Sequence, residues 1–226
     1  MKKMVSVPYM LMGILFCVAL VVSNFLETKI ISLGPITATA GLLVFPISYI
    51  INDCISEVWG YRKACFIIWI GFAINFLVAC LTQLAIKIPS PDFWEGEDSF
   101  NFVFGLNVRI VIASLCAFLV GSFLNALVMS KMKISSKGQH FSLRAVVSTL
   151  AGESADSLIF FPIAFSGLLS VNELLLMMVT QASLKSLYEI IILPLTVQIV
   201  KYVKKIEGND IYDEDISFNP FKIKEI

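Results

Sequence analysis

Several apolar stretches of this chain carry carboxylates, amides or a lysine at helical spacing, and any chemistry must be done there. Asp53 and Glu57 stand four apart with Asn52 beside them. Glu153 and Asp156 stand three apart, preceded by Ser148 and Thr149, and Gln181, Lys185 and Glu189 recur every four residues. Positions three and four apart share one helix face, so each set forms a polar stripe on an otherwise apolar helix. Asn24 and Glu27 lie in the first apolar run, and Arg109 opens another. Ionisable groups in such surroundings are costly and face a water-filled cavity or one another. Their chemistry is that of binding: a carboxylate accepts a pair of N–H groups in a two-pronged arrangement, and a lysine balances buried acids.

Catalytic constellations are missing. The chain has no P-loop, zinc-type histidine pair or cysteine pair. Gly152-Glu153-Ser154 begins like a hydrolase nucleophile elbow but lacks the closing glycine. The lone histidine, His140, sits in a basic loop where it cannot serve a buried serine as base. The chain reads as no enzyme and implies no cofactor and no metal. Without a nucleotide motif it cannot hydrolyse ATP, so any transport is gradient-driven or powered by a separate subunit.

The elements that position these residues follow from composition. Of 226 residues, 58% are hydrophobic and 15% charged, with a mean hydropathy of +0.85. A soluble domain is about 45–50% apolar and about 25% charged. The excess apolar surface needs a lipid bilayer, and the zero net charge gives no reason to expect a nucleic-acid partner. Runs long enough to cross a bilayer, about 20 residues each, fall at roughly 8–32, 36–59, 64–87, 107–130, 145–169 and 173–200. This predicts an all-α polytopic membrane protein: one transmembrane domain over 1–206 and a mobile cytoplasmic tail over 207–226. The first run has no small-residue cleavage site, so it reads as a span rather than a signal peptide. The five cysteines lie in apolar runs and read as buried free thiols.

Lysine and arginine fix the orientation. Lys2, Lys3, Arg62, Lys63, Lys131, Lys133, Lys137, Arg144, Lys201, Lys204 and Lys205 all fall on one side, whereas the stretch 89–105 on the other side carries Asp92, Glu95, Glu97 and Asp98. By the positive-inside rule both termini are cytoplasmic. Ser90 to Phe104, rich in aromatics, reads as an interfacial segment on the outer surface.

Depth sorts the polar residues. At about 1.5 Å per residue, Glu153 and Asp156 lie roughly 12–17 Å into the fifth span and Lys185 about 18 Å into the sixth, so all three approach the midplane, where transporters place substrate. Glu57, near Trp59 and Arg62, suits an interfacial salt bridge or a transport role alike. Arg109 suits pairing or lining of the outer mouth. Pro46 and Pro162 each remove a helical donor within a span, which is tolerated at depth where the freed groups line a cavity. The neighbouring Phe45 and Phe160-Phe161 could stack on a flat heterocycle. Ala113, Ala117 and Gly121, like Gly71, Asn75 and Ala79, recur every four residues and predict close helix packing, within the chain or between protomers of a homodimer.

Phe45-Pro46-Ile47-Ser48-Tyr49-Ile50-Ile51-Asn52-Asp53, continuing to Glu57-Val58-Trp59-Gly60-Tyr61-Arg62, resembles the second-span motif of the bacterial queuosine-precursor transporters, also called the vitamin uptake transporter family. Ser23-Asn24, Val108-Arg109-Ile110, Ser148-Thr149-Leu150, Asp156-Ser157, Phe160-Phe161, Lys185 and Pro194 extend the resemblance over nearly the whole chain. At Glu153 the chain departs from the family, whose members carry an uncharged residue there. The resemblance implies six spans and import of a 7-deazaguanine: preQ0, preQ1, queuine or its nucleoside. With that cargo, Asp53 or Asp156 would take the guanine edge, Lys185 would balance the acids, Phe45 or Phe160 would stack on the ring, and Asn24 and Gln181 would meet its carbonyl and ring nitrogens. Asn52, Ser148, Thr149 and Glu153 complete the expected binding set, with Glu57, Arg109 and Glu189 as gate or pairing residues. A carboxylate that takes up a proton could couple its entry to that of the substrate. The competing reading is the substrate-binding subunit of an energy-coupling-factor vitamin importer, also six-spanned, which would need an ATPase partner.

Overall fold

The computed structural model describes residues 6–26, 28–33, 36–105, 108–167, 170–214 and 216–222. Helices dominate: α1 over Val7–Leu26, α2 over Phe45–Trp59, α3 over Tyr61–Lys87, α4 over Glu97–Phe104, α5 over Val108–Ser135, α6 over Phe141–Phe165 and α7 over Val171–Glu207. With the turn that precedes α2, six of these segments are long and apolar enough to cross a membrane. The architecture is that of an all-α polytopic membrane protein. Apolar side chains such as Leu11 and Leu15 of α1, Leu81 and Leu84 of α3 and Leu176 and Ile191 of α7 face outward, as a hydrocarbon solvent allows.

The first two spans differ from expectation. α1 stops at Leu26, and Glu27 lies outside the described residues. Beyond it, β1 (Ile30–Leu33) and β2 (Ile36–Thr39) form an antiparallel hairpin, paired from Ile30↔Thr39 to Leu33↔Ile36. These strands are rich in isoleucine and threonine, whose branched Cβ favours extended backbone. A 3₁₀ turn over Ala40–Leu43 follows, and only at Phe45 does α2 begin. Pro46 therefore opens a helix, where its missing N–H costs nothing, instead of kinking one. The second span thus starts at the 3₁₀ turn, later than the apolar run suggests, and every residue of α2 except Ile47 is buried.

Two close approaches set the frame. Gly71 of α3 packs against Phe16 and Leu20 of α1. Gly121 of α5 meets Gly152 of α6 so tightly that a Cβ on Gly152 would lie 2.9 Å from the Gly121 carbonyl and 2.9 Å from the Tyr49 ring. Backbone cannot give way as a flexible side chain can, so Gly152→Val is expected to cost at least about 1–3 kcal/mol. Thermal unfolding in detergent would check this, and a wild-type melting temperature would refute the tight α5–α6 crossing.

The tail is docked, against expectation. At the α2–α3 reversal Gly60 takes φ 83, a left-handed conformation that glycine adopts without strain. There the Asp213 carboxylate accepts the Tyr61 backbone N–H at 2.8 Å and the Ser130 hydroxyl at 2.5 Å, capping the start of α3. Tyr61 Oη donates to the Phe218 carbonyl at 3.2 Å and Trp69 Nε1 to the Pro220 carbonyl at 2.9 Å. Phe218 and Phe221 pack on those same two rings.

Candidate functional site

α2 and α6 run antiparallel: Phe45 and Asp156 both hold Lys185, and one turn further along Tyr49 lies against Gly152, then Asp53 against Ser148 and Glu57 against Arg144. At about 6 Å per four residues these layers span roughly 18 Å. The polar stripes of α2, α6 and α7 converge on this ladder.

Its first layer is the floor of a cavity of about 290 Å³ enclosed by α1, α3, α5, α6, α7 and the start of α2. That size lies at the small end of ligand pockets, about 300–1,000 Å³. Lys185 Nζ lies 3.0 Å from Glu153 Oε2, 3.3 Å from Asp156 Oδ2 and 3.9 Å from the centre of the Phe45 ring. Two carboxylates and an aromatic face thus fix a single ammonium, with cation–π attraction added to Coulomb attraction. One wall is aromatic: Phe160, Phe161 and Phe165 contact one another with centroids 5.3–6.0 Å apart. The facing side presents amides, with Asn24 Nδ2 donating to Asn75 Oδ1 at 2.7 Å and Gln181 opposite. Val103 and Phe104 of α4 also line the cavity, held by Gln83 donating to the Phe104 carbonyl and by the Phe25 ring.

Below the floor the ladder is filled. Tyr49 fits over the Gly121–Gly152 crossing, its hydroxyl without a partner. Asn52 donates to Asn125 Oδ1 at 2.7 Å, Asn125 Nδ2 reaches Thr149 Oγ1 at 3.4 Å, and Ser148 Oγ reaches Asp53 Oδ1 at 3.4 Å, all fully buried. At the Gly60 end Arg144 grips Glu57 through two nitrogens, at 2.5 and 3.0 Å, and Lys204 reaches the same carboxylate at 2.6 Å. Asp210 of the docked tail bridges Lys204 at 2.8 Å and Lys133 at 2.5 Å. Partial burial opposes the charge on Asp210, but hydrogen bonds from Lys133 and Lys204 outweigh it and hold its carboxyl below the ordinary carboxylate value.

Of the residues expected to bind, Asn24, Phe45, Asp156, Phe160, Gln181 and Lys185 line the cavity, and Glu153 backs its floor through Lys185. Asn52, Asp53, Ser148 and Thr149 lie in the deeper layers and do not line it. Glu57 is paired, with Arg144 and Lys204 instead of Arg62. Arg109 binds the end of α6, donating to the Ile163 carbonyl and, at 2.7 and 2.9 Å, to the Ser166 carbonyl and hydroxyl. Glu189 lies beside Asp53 and Thr149. Sequence reasoning placed Asn75 and Ala79 in helix packing, but both face the cavity. It passed over Asn125 and Gln83, although an amide inside an apolar helix marks either as a candidate.

The sequence family described as "Putative vitamin uptake transporter" matches residues 39–199. The chain is 24% identical over 177 residues to the "Probable queuosine precursor transporter" of Bacillus subtilis (strain 168), covering 78% of this chain and 77% of that protein. It is 27% identical over 128 residues to a Haemophilus influenzae protein with the same description, covering 57% of this chain and about half, 52%, of that relative. No solved structure matches the chain.

Proposed function

The chain belongs to the vitamin uptake transporter family and is a multi-pass membrane transporter, and on that premise we propose that it imports a queuosine precursor, a 7-deazaguanine base or its nucleoside, across the bacterial cytoplasmic membrane. The observation that carries the reading is the cavity floor, where a buried lysine holds two carboxylates at the end of an aromatic-walled, amide-lined pocket. Asp156 takes the adjacent ring N–H and amino group of the guanine edge. Lys185 keeps Asp156 and Glu153 from repelling one another. Asn24 and Gln181 supply donors and acceptors to the heterocycle's carbonyl and ring nitrogens. Lys185 already covers Phe45, so the base stacks on Phe160 and its neighbours, and Phe45 positions the lysine.

The lysine and arginine bias puts the Gly60 end and both termini in the cytoplasm. The α4 side of the cavity, at Phe104, then faces outward, and the Glu57–Arg144–Lys204 cluster closes the inner side. The sequence carries no nucleotide-binding motif, so the chain does not hydrolyse ATP itself, and import is read as gradient-driven, with an ATPase-bearing partner as the alternative. The test is a binding titration of the purified protein against preQ0, preQ1, queuine, queuosine, guanine and riboflavin. Selective binding of one deazaguanine is expected. Binding of riboflavin, or of none of these, would sink the substrate assignment. Accumulation of the bound compound by the chain alone in proteoliposomes would separate a self-sufficient carrier from a subunit that needs an ATPase partner.

A further inference from the structure

The buried charges do not balance. Between the cavity floor and the Glu57 layer lie four carboxylates, Asp53, Glu153, Asp156 and Glu189, and among the described residues the one cation that reaches them is Lys185. Lys185 is engaged by Glu153 and Asp156, which leaves Asp53 and Glu189 without a positive partner at contact distance.

These two come from different helices and sit side by side. Asp53 is 0% exposed and Glu189 2%. Neutral donors beside Asp53 are the Ser148 hydroxyl, 3.4 Å from Oδ1, and the Asn125 amide. Asp53 Oδ2, both carboxylate oxygens of Glu189 and the neighbouring Asn52 Oδ1 receive no hydrogen bond. Leaving buried oxygens without donors is costly, and two adjacent bare carboxylates more so. The other ionisable groups facing the pair worsen the imbalance or are spoken for. Tyr49 and Cys54 of α2 bring no positive charge, Glu153 and Asp156 of α6 share Lys185, and Glu57 is held by Arg144 and Lys204. α5 contributes neutral groups, Asn125 and Ser122.

We propose that Asp53 and Glu189 form a second site, distinct from the substrate cavity, that binds one monovalent cation: a proton shared between the carboxylates or a sodium ion. The same chemistry serves either, because each brings one positive charge and a partner for the orphaned oxygens. Sodium would take Asn52 Oδ1 and Thr149 Oγ1 as further neutral ligands. Glu189 lies one helical turn from Lys185 at the cavity floor, and Asp53 one turn from Glu57 at the closed end. Occupancy is therefore felt on both sides of Tyr49, as a coupling ion requires. The coupling role rests on the transport reading above, but the cation site does not.

The test uses the full-length protein in detergent without substrate. Infrared spectra at neutral pH report the carbonyl stretch of a protonated carboxyl, and melting in sodium chloride against equal choline chloride reports sodium binding. Wild type is expected to show one of the two signals, which identifies the ion. Asp53→Asn and Glu189→Gln, both isosteric, are each expected to abolish it, and Asp156→Asn to leave it in place. Neither signal in wild type, or a signal that survives in both pair variants, would overturn the site. Failure to bind any deazaguanine would refute the substrate reading and leave this result standing. Once a substrate is bound, an inward gradient of the identified ion is expected to drive uptake in wild type and not in either pair variant.

Discussion

Asp156→Asn is expected to weaken binding of the transported base by about 10- to 100-fold while the protein remains folded. Hydrogen bonds to a charged group are worth about 1.5–3 kcal/mol, and about 1.4 kcal/mol corresponds to a tenfold change in affinity. Asparagine keeps the shape of the side chain and one accepting oxygen but presents an N–H₂ where the substrate edge also donates, so one prong of the contact survives without its charge and the other turns repulsive. The fold tolerates the change because Lys185 still has Glu153 at 3.0 Å and the Phe45 ring beneath it. Calorimetric titration against whichever deazaguanine wild type binds would read the loss directly. Wild-type affinity in a monodisperse Asp156→Asn protein would remove the floor carboxylate from recognition and move attention to the amides Asn24 and Gln181.

Depth along a helix made the floor readable in advance. Counting residues inward from both membrane faces brings Glu153, Asp156 and Lys185 to a common level, and the ion pairs join them there. The same counting could not separate Asp53 from Asp156 as the substrate's partner, because it treats the second span as one continuous helix. The separation depends on where α2 starts. With Phe45 at the cavity floor, Asp53 falls two turns deeper, behind Tyr49. A hydropathy window counts the strands Ile30–Leu33 and Ile36–Thr39 as parts of the flanking spans and misses that the second helix begins only after them.

The docked tail escaped for a related reason. Residues 207–222 mix charges and aromatics without period, which from sequence alone reads as a solvated loop. The partners that order them, Tyr61 and Trp69 of α3 and Ser130 and Lys133 of α5, lie far away in the chain. Arg144 shows the limit of counting charges by side. It was assigned to the basic loop that orients the protein, yet it is 1% exposed and paired with a carboxylate 87 positions away.

That pair should yield the largest loss of stability in the molecule. Arg144→Met is expected to destabilise the protein by about 3–5 kcal/mol, the usual consequence of removing one partner from a buried ion pair. Glu57 would keep only Lys204, itself shared with Asp210, and the Gly138 and Gln139 carbonyls would lose their guanidinium donors. Adding Glu57→Gln to Arg144→Met is expected to recover much of the loss, because the orphaned charge disappears with its partner. Thermal unfolding of both single variants and the double variant in detergent completes the cycle, and additive losses would show that the pair is not coupled. The outcome also bears on transport. Substrate that leaves the cavity toward the Gly60 end must part Glu57 from Arg144 and Lys204, so the energy holding these groups together contributes to the barrier for release. Lys204→Met, which removes the partly exposed partner and keeps the buried one, should therefore speed release with a smaller penalty in stability, read as faster efflux from preloaded proteoliposomes. Unchanged efflux in that variant would mean that this cluster fastens the helix ends and that the exit lies elsewhere.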